Sequence, residues 1–332
     1  MRITKERAQN LMDALEDEHD RIRENASDVP NRIDGVPVTT LWERNRKAVL
    51  ERMRDLPHLV EKAAEPLNIV RGRGRPSKLT PAQKTMVFLY ARISDASNRD
   101  MEAQLALLGP VFDVTVSYKT IERLYSDEEV TLVLHNLFFI LLEEAGVSGN
   151  FSGDGTGYSL EAGRHYRSAP AKETNGEADE KGYRHVFHLV DLETGMYVAY
   201  GYSDVSEKAA FRKAIAFVEN HDLPMDSVRL DRYYSSRKNL RELGEDVEAF
   251  VIPKENIANF GAEWHDVFNR IAEDVEGYLS EYFQRELSES YYAADKERFG
   301  DAIAQIREDR RETTTLGRTV LHNVFSVRVA PG

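Results

Sequence analysis

Residues 183–204 read YRHVFHLVDLETGMYVAYGYSD and contain two runs rich in aromatic and β-branched residues. Glu193-Thr194-Gly195 separates the runs, so the segment predicts two strands joined as a hairpin. Before it, GNFSGDG at 149–155 predicts a further strand. After it, the patterns predict a helix, a strand, a short helix and a last strand, at 207–221, 227–231, 235–244 and 248–256. The order β-β-β-α-β-α-β predicts an α/β fold, α+β overall, with a mixed sheet flanked by helices.

Two aspartates stand at corresponding positions of this predicted sheet. Asp154 ends the first strand, between Gly153 and Gly155, and Asp231 ends the fourth strand, VRLD. In this topology the two strands are neighbours, so we expect the two carboxylates to lie side by side. Phosphodiester chemistry with two metal ions needs carboxylates that converge on ions about 3.5–4 Å apart. The pair therefore indicates a metal site, although a chain with 57 acidic residues also contains accidental pairs.

A third carboxylate is expected from a helix after the last strand. Four residues at offsets 0, 3, 7 and 14 would project within about 60° of each other on one helix; they are Tyr282, Arg285, Glu289 and Lys296. The row would face the DNA substrate: Glu289 would complete the metal shell, the arginine and the lysine would meet phosphates on either side, and Tyr282 would also contact the DNA. A separate face of the same helix is predicted to be buried, through Phe283, Leu287, Tyr291 and Ala294. Glu281 and Glu286 are rival acids that project off the row.

The N-terminal part reads as helical in two regions, 1–70 and 80–147, which a basic linker at 71–79 separates. The linker contains RGRGRP, and its Arg73 and Arg75 resemble an AT-hook, whose arginines enter a narrow A·T minor groove. A solvated linker without a DNA role explains the same residues equally well. Thr80-Pro81 is a good helix start, with an N-cap followed by proline at the first helical position.

Residues 97–125 have the pattern of a helix-turn-helix. Ser97 opens one helix, Gly109-Pro110 is expected to stop it, and Ser117 caps a second helix, SYKTIERLY. Ile121 and Leu124 would face inward. The outward residues of the second helix would then be available to DNA; they are Tyr118, Lys119, Glu122 and Arg123. A helical hairpin with no DNA role remains an alternative.

Composition restricts the class of protein. The chain has no cysteine, a net charge of −13, and 31 arginines against 13 lysines. An arginine-containing, carboxylate-covered surface of this kind suits a halophilic cytoplasm. Residues 1–80 alone carry a charge of +2. The N-terminus lacks a signal-peptide pattern, and no apolar run approaches the roughly 20 residues that cross a bilayer. We therefore expect a protein of the cytoplasm, associated with the nucleoid, and no membrane partner.

The segment Tyr282-x2-Arg285-x3-Glu289-x6-Lys296 resembles the signature around the catalytic glutamate of prokaryotic insertion-sequence DDE transposases, and the chain is similar to them over about 148–327. Asp231-Arg-Tyr-Tyr looks like their second-acid motif. The resemblance implies an RNase H-like DDE catalytic domain at 148–327, of haloarchaeal type. It also implies two Mg²⁺ or Mn²⁺ ions at Asp154, Asp231 and Glu289, which act in metal-dependent cleavage and strand transfer.

The same resemblance implies partners. The chain would bind double-stranded DNA, both the terminal inverted repeats of the element and the target, and would act as a homodimer because two ends must be paired. Two other functions remain open at this point. One is a plain RNase H-like nuclease. The other is a domesticated DNA-binding protein that no longer cuts DNA.

Overall fold

The computed structural model describes residues 5–25, 32–33, 36–67, 77–112, 114–160, 182–244, 246–254 and 261–326. Its helices are α1 (Lys5–Asn25), α2 (Val38–Ala64), α3 (Pro81–Ile93), α4 (Asn98–Phe112), α5 (Tyr118–Leu124), α6 (Glu128–Ala145), α7 (Glu207–Asn220), α8 (Arg237–Leu243), α9 (His265–Glu273), α10 (Val275–Phe283), α11 (Glu286–Phe299) and α12 (Glu308–Phe325). Its strands are β1 (Arg32–Ile33), β2 (Val36–Pro37), β3 (Asn150–Leu160), β4 (Tyr183–Asp191), β5 (Tyr197–Ser203), β6 (Ser227–Leu230), β7 (Glu248–Phe250) and β8 (Ala302–Ile303).

The main sheet has the predicted mixed topology. Its strands lie in the order β5-β4-β3-β6-β7, and the short β8 pairs with the end of β3. The first three strands, β3, β4 and β5, are antiparallel, whereas β6 runs parallel to β3 and β7 parallel to β6. The first and fourth strands of the predicted order are therefore neighbours, as expected. The α/β, α+β overall, fold class is confirmed.

Helix starts follow the capping residues seen in the sequence. Thr80 forms a capping box with Gln83 at the start of α3. Ser117, Ser206 and Ser236 each accept a backbone hydrogen bond at the start of α5, α7 and α8. These caps satisfy amides that have no partner inside the helix.

The helix α12 lies at the centre of the molecule. Every residue from Thr313 to Val324 is buried, and α12 packs against α2, α3 and α6 as well as against β5. Gly317 lies so close to Phe88 that an added Cβ would come within 2.6 Å of the ring. Most buried apolar side chains, from Ala8 to Val324, form one connected core, and Val190, Tyr197 and Tyr292 form a small second cluster. The predicted division into 1–70, 71–79, 80–147 and 148–327 remains a prediction.

Three local expectations were wrong. The helix α4 continues through Gly109-Pro110 to Phe112, because a proline near a helix end removes only one backbone hydrogen bond. The strand β3 does not end at Asp154, as predicted, but continues to Leu160, since β8 and Gly182 supply backbone partners there. The row from Tyr282 to Lys296 is divided between two helices.

None of the helices in the described ranges has the length and apolar composition of a membrane-spanning segment.

Candidate functional site

Asp154 and Asp231 lie next to each other in the sheet. The register of β3 and β6 pairs Gly153 with Leu230, so Asp154, which lies within β3, and Asp231, which follows β6, are the next residues along two neighbouring parallel strands. Asp154 Oδ1 accepts a hydrogen bond of 2.8 Å from the amide of Gly155. Asp231 caps a short 3₁₀ turn and accepts a hydrogen bond of 2.7 Å from the amide of Tyr233. Backbone contacts therefore orient both carboxylates.

The surroundings of Asp154 disfavour the ionised form of its carboxyl group. Burial, which is the largest cause, and the carboxylates of Glu289, Asp231 and Glu207 together raise the pKa of this carboxyl to about 7, against the opposing hydrogen bond from Gly155. These three acids approach Asp154 from α11, from the end of β6 and from α7. Asp154 is thus the centre of a negative site that a bound cation would stabilise.

The helix that was expected to carry the third acid is interrupted at Gln284-Arg285, where α10 ends and α11 begins. The break turns Arg285 toward the aspartates. Its guanidinium contacts the Glu289 carboxylate and lies 3.7 Å from Asp231 Oδ2. The same group lies 5.3 Å from the ring centroid of Tyr282. Tyr282 is buried, whereas the sequence predicted that it faces the substrate. Arg285 therefore joins the strand-borne and helix-borne parts of the site.

The buried face of α11 also differs from the prediction. The predicted apolar face was wrong, because Leu287 and Tyr291 are only half-buried and Ala294 is exposed. The buried residues are instead Ser288, Tyr292, Asp295 and Phe299. Three of the four are polar, and they can be buried because the sheet and α12 provide hydrogen-bond partners.

Tyr292 is the residue of α11 that contacts Asp154 most directly. Its hydroxyl donates a hydrogen bond of 2.7 Å to the Asp154 carbonyl oxygen and accepts one of 3.0 Å from the His188 amide. One turn earlier, the hydroxyls of Ser288 and Ser152 hydrogen bond to each other. These contacts fix α11, and with it Glu289, against β3 on the side of Asp154.

Lys296 lies further along β3 than the three acids. Its ammonium nitrogen is 5.8 Å from the ring centroid of Tyr158, four residues beyond Asp154 on the same face of the strand. The rival acids are placed differently from Glu289. Glu281 forms an ion pair with the buried Arg229, and Glu286 is exposed.

Sequence reasoning missed Glu207 and Tyr234. The Tyr234 hydroxyl donates a hydrogen bond to Glu207, and both side chains pack where a Cβ on Gly155 would stand. The glycine beside Asp154 therefore makes room for a fourth carboxylate. A signal was present, because Glu207 opens a helix capped by Ser206, but only the fold brings that helix end to β3.

The described residues contain no group of three or more histidine, aspartate or glutamate side chains already arranged to hold a metal ion. At the proposed position of the acids, the guanidinium of Arg285 forms ion pairs with Asp231 and Glu289.

The predicted DNA-contacting residues of the N-terminal part form a separate group. Lys119 and Arg123 are exposed and Tyr118 is half-exposed on α5, which packs against α3 and α4. Ile121 and Leu124 face inward as predicted. Arg73 and Arg75 lie outside the described residues.

No known family model matches the chain. The chain is 47% identical over 328 residues to a protein of Archaeoglobus fulgidus described as a probable transposase for insertion sequence element ISA1214. The match covers 99% of this chain and 98% of that protein, so it includes both the N-terminal helices and the acidic site.

Proposed function

The chain belongs to the transposases of insertion sequences, and from this premise we propose that it cuts and joins DNA with a DDE site made of Asp154, Asp231 and Glu289. The observation that carries the proposal is the register of β3 and β6, which brings Asp154 beside Asp231. The strand order and the helix that follows the last strand agree with an RNase H-like core. The catalytic domain would span 148–327.

The residues fit a site for divalent cations. All the donors are carboxylates, which are the ligands that Mg²⁺ and Mn²⁺ prefer. The pKa of Asp154, raised to about 7, supports the proposal because a nearby cation would relieve the cost of its charge. Asp154, Asp231 and Glu289 would hold the two ions. When bound, such ions activate the attacking oxygen and stabilise the leaving oxygen.

The protein groups around the acids would position the DNA. Arg285 carries a charge beside two of the acids, and DNA phosphates offer it an alternative anionic partner. Lys296, next to Tyr158, would bind a second phosphate further along the strand. Tyr292 would act as a positioning residue, since its hydroxyl holds the Asp154 carbonyl and the His188 amide together.

The N-terminal helices would recognise the terminal inverted repeats of the element. The residues proposed to contact DNA there are the outward side chains of α5, with Arg73 and Arg75 of the basic linker; on α5 they are Tyr118, Lys119 and Arg123. A homodimer would pair the two ends, and the freed 3′-hydroxyl would attack target DNA in the second step.

A cleavage assay tests the catalytic part of the proposal. Asp154→Asn and Asp231→Asn should abolish Mg²⁺- or Mn²⁺-dependent cleavage of a duplex that carries the element's end, with end binding unchanged. Asp226→Asn is the matched control, because this exposed aspartate precedes β6 at its other end. Cleavage by Asp154→Asn would remove Asp154 from the site. Joining of the cut end to a second duplex would separate a transposase from a plain nuclease.

A further inference from the structure

A groove with a volume of about 900 Å³ lies between the turn that joins α3 to α4 and the segment that follows α11. Its walls carry four arginines, which are Arg92, Arg307, Arg310 and Arg318. None of these arginines belongs to the acidic site described above. The groove is therefore a place, separate from the acidic site, where an anion could bind.

Arg318 is the most informative of the four. Only 4% of its surface is exposed. Its Nη2 donates hydrogen bonds to the carbonyl oxygens of Phe299 and Ala302, at 2.7 and 2.8 Å. Its Nε and Nη1 are buried and have no hydrogen-bond partner among the described residues. Buried donors on a cation are costly without an acceptor. The Tyr158 hydroxyl interacts with this guanidinium, and an anion in the groove would supply a further acceptor.

Arg92 strengthens the positive side of the groove. Its guanidinium lies 5.1 Å from the Tyr125 ring centroid, and its buried Nε also has no hydrogen-bond partner in the described part of the chain. By contrast, Arg310 is paired with Glu122 and Arg307 with Asp309. Within the described part of the chain, Arg92 and Arg318 are thus the two arginines of the groove that form no ion pair with a carboxylate.

Acidic residues line the groove as well. Besides the paired Glu122, they are Asp95 and Asp301, both of which are exposed. Asp95 acts electrostatically on Arg318. The groove is therefore not uniformly positive, and its affinity for an anion should increase when Asp95 is neutralised.

The start of α4 borders the same groove through Ser97 and Asn98. The first amides of a helix lack partners inside the helix and favour anions. The 15-residue helix α4 therefore brings the positive end of its dipole to the groove, where Ser97 caps the Asp100 amide and Asp100 offsets part of that charge.

We propose that this groove binds one phosphate of the DNA backbone, an inference that rests on the proposed function. Tyr158 links the groove to the acidic site, because its ring lies 4.6 Å from the Arg318 guanidinium and 5.8 Å from the Lys296 ammonium. Asp154 precedes Tyr158 by four residues, or roughly 13 Å of strand.

The test measures how a fluorescein-labelled duplex of fixed sequence binds to the full chain, by anisotropy, over a series of potassium chloride concentrations. Arg92→Gln should weaken binding about fivefold and reduce the slope of log K against log salt by about 1. Asp95→Asn should tighten binding several-fold; Asp95 has a φ of +46°, which asparagine tolerates. Arg212→Gln removes an equal charge outside the groove and should leave the slope unchanged.

A second measurement distinguishes the sources of phosphate. Thermal unfolding is followed in inorganic phosphate and in chloride at equal ionic strength. If phosphate stabilises the wild-type chain but not Arg92→Gln, and all variants bind DNA equally, the groove holds a free phosphate and the DNA proposal is overturned. Equal DNA binding and equal unfolding by all variants would remove the groove as an anion site. Absence of DNA binding by the wild-type chain would instead contradict the proposed function.

Discussion

The two strand-borne acids of the site and its one helix-borne acid are held in different ways. Asp154 and Asp231 follow paired residues of neighbouring strands, and backbone amides contact both carboxylates. Glu289 is exposed on α11 and is held through the Arg285 side chain. Backbone register is costly to change, whereas a side-chain contact can be exchanged for another. Asp154 and Asp231, which we call the strand half of the site, are therefore fixed by the fold. Glu289, the helix half, can change its position more easily.

The largest expected effect concerns the helix half. Glu289→Gln should lower strand cleavage by several orders of magnitude with nearly unchanged affinity for the element's end, because a lost metal ligand weakens the transition state more than DNA binding. Glu286→Gln is the matched control on the same helix and should remain active. Cleavage is measured on a labelled duplex in Mn²⁺ and in Mg²⁺. An inactive Glu286→Gln together with an active Glu289→Gln would show that the third acid is misassigned.

The strand half was predictable from the sequence for a physical reason. Alternating residues and capped turns identify strands, and the strand order determines which ends are neighbours. Asp154 and Asp231 could thus be paired although they lie 77 residues apart.

The helix half was predicted less well. The prediction assumed that apolar residues of α11 are the buried ones, but Asp295 is buried because Tyr197 and His322 hydrogen bond to it. Such partners lie far away in the sequence. The break at Gln284-Arg285 contains no proline or glycine to announce it.

A second prediction concerns the folding free energy of the metal-free chain. The pKa of Asp154 is raised from 3.8 to about 7, so the fold favours the protonated carboxyl. The resulting penalty is absent below pH 3.8 and grows to about 4 kcal/mol above pH 7. Asp154→Asn cannot ionise and should therefore be more stable than the wild type at pH 8 in a chelator, with a smaller difference at pH 5. Urea unfolding at both pH values measures this difference in unfolding free energy. Equal stabilities of the two proteins at pH 8 would contradict the raised pKa of Asp154.

A third prediction tests how tightly the strand half is packed. A Cβ on Gly153 would come within 2.7–2.9 Å of side-chain carbons of Leu230, Phe187 and Leu189. Gly153→Ala should lower the free energy of unfolding by about 2 kcal/mol, as expected for overpacking. Gly157→Ala on the same strand is the control, because its nearest neighbour would be Tyr183 at 3.3 Å. Equal stability of the two variants would mean that β3 can shift and that its register does not hold Asp154.

A fourth prediction addresses the contact that makes the helix half adjustable. Arg285 contacts Asp231 and Glu289, so it competes with a metal ion for both carboxylates. Arg285→Gln should bind Mn²⁺ about tenfold more tightly in the absence of DNA, a change of about 1.4 kcal/mol, measured by calorimetry. Arg298→Gln removes the same charge from the same helix at an exposed position and should change the affinity little. Unchanged affinity of Arg285→Gln would show that the arginine and the metal do not exclude each other.

The smallest effect is expected at the contact that joins the two halves. Tyr292→Phe removes the hydroxyl between the Asp154 carbonyl and the His188 amide and should cost about 1 kcal/mol of stability. Tyr278→Phe is a close match, because the Tyr278 hydroxyl bonds to the amide and carbonyl of buried Val251. Each variant leaves two backbone groups without that partner, and Tyr292→Phe also removes a contact of 3.2 Å with His188 Nδ1, so its loss of stability should be at least as large.

Only Tyr292→Phe should also weaken Mn²⁺ binding, by about threefold, or roughly 0.6 kcal/mol, because Asp154 and the helix that carries Glu289 are then less firmly held together. Calorimetric titration of the two variants under the same conditions measures the difference. Equal Mn²⁺ affinities would reduce Tyr292 to a residue of the core. The coupling between the strand-borne and the helix-borne acids would then depend on Arg285 and on the hydroxyl pair of Ser288 and Ser152.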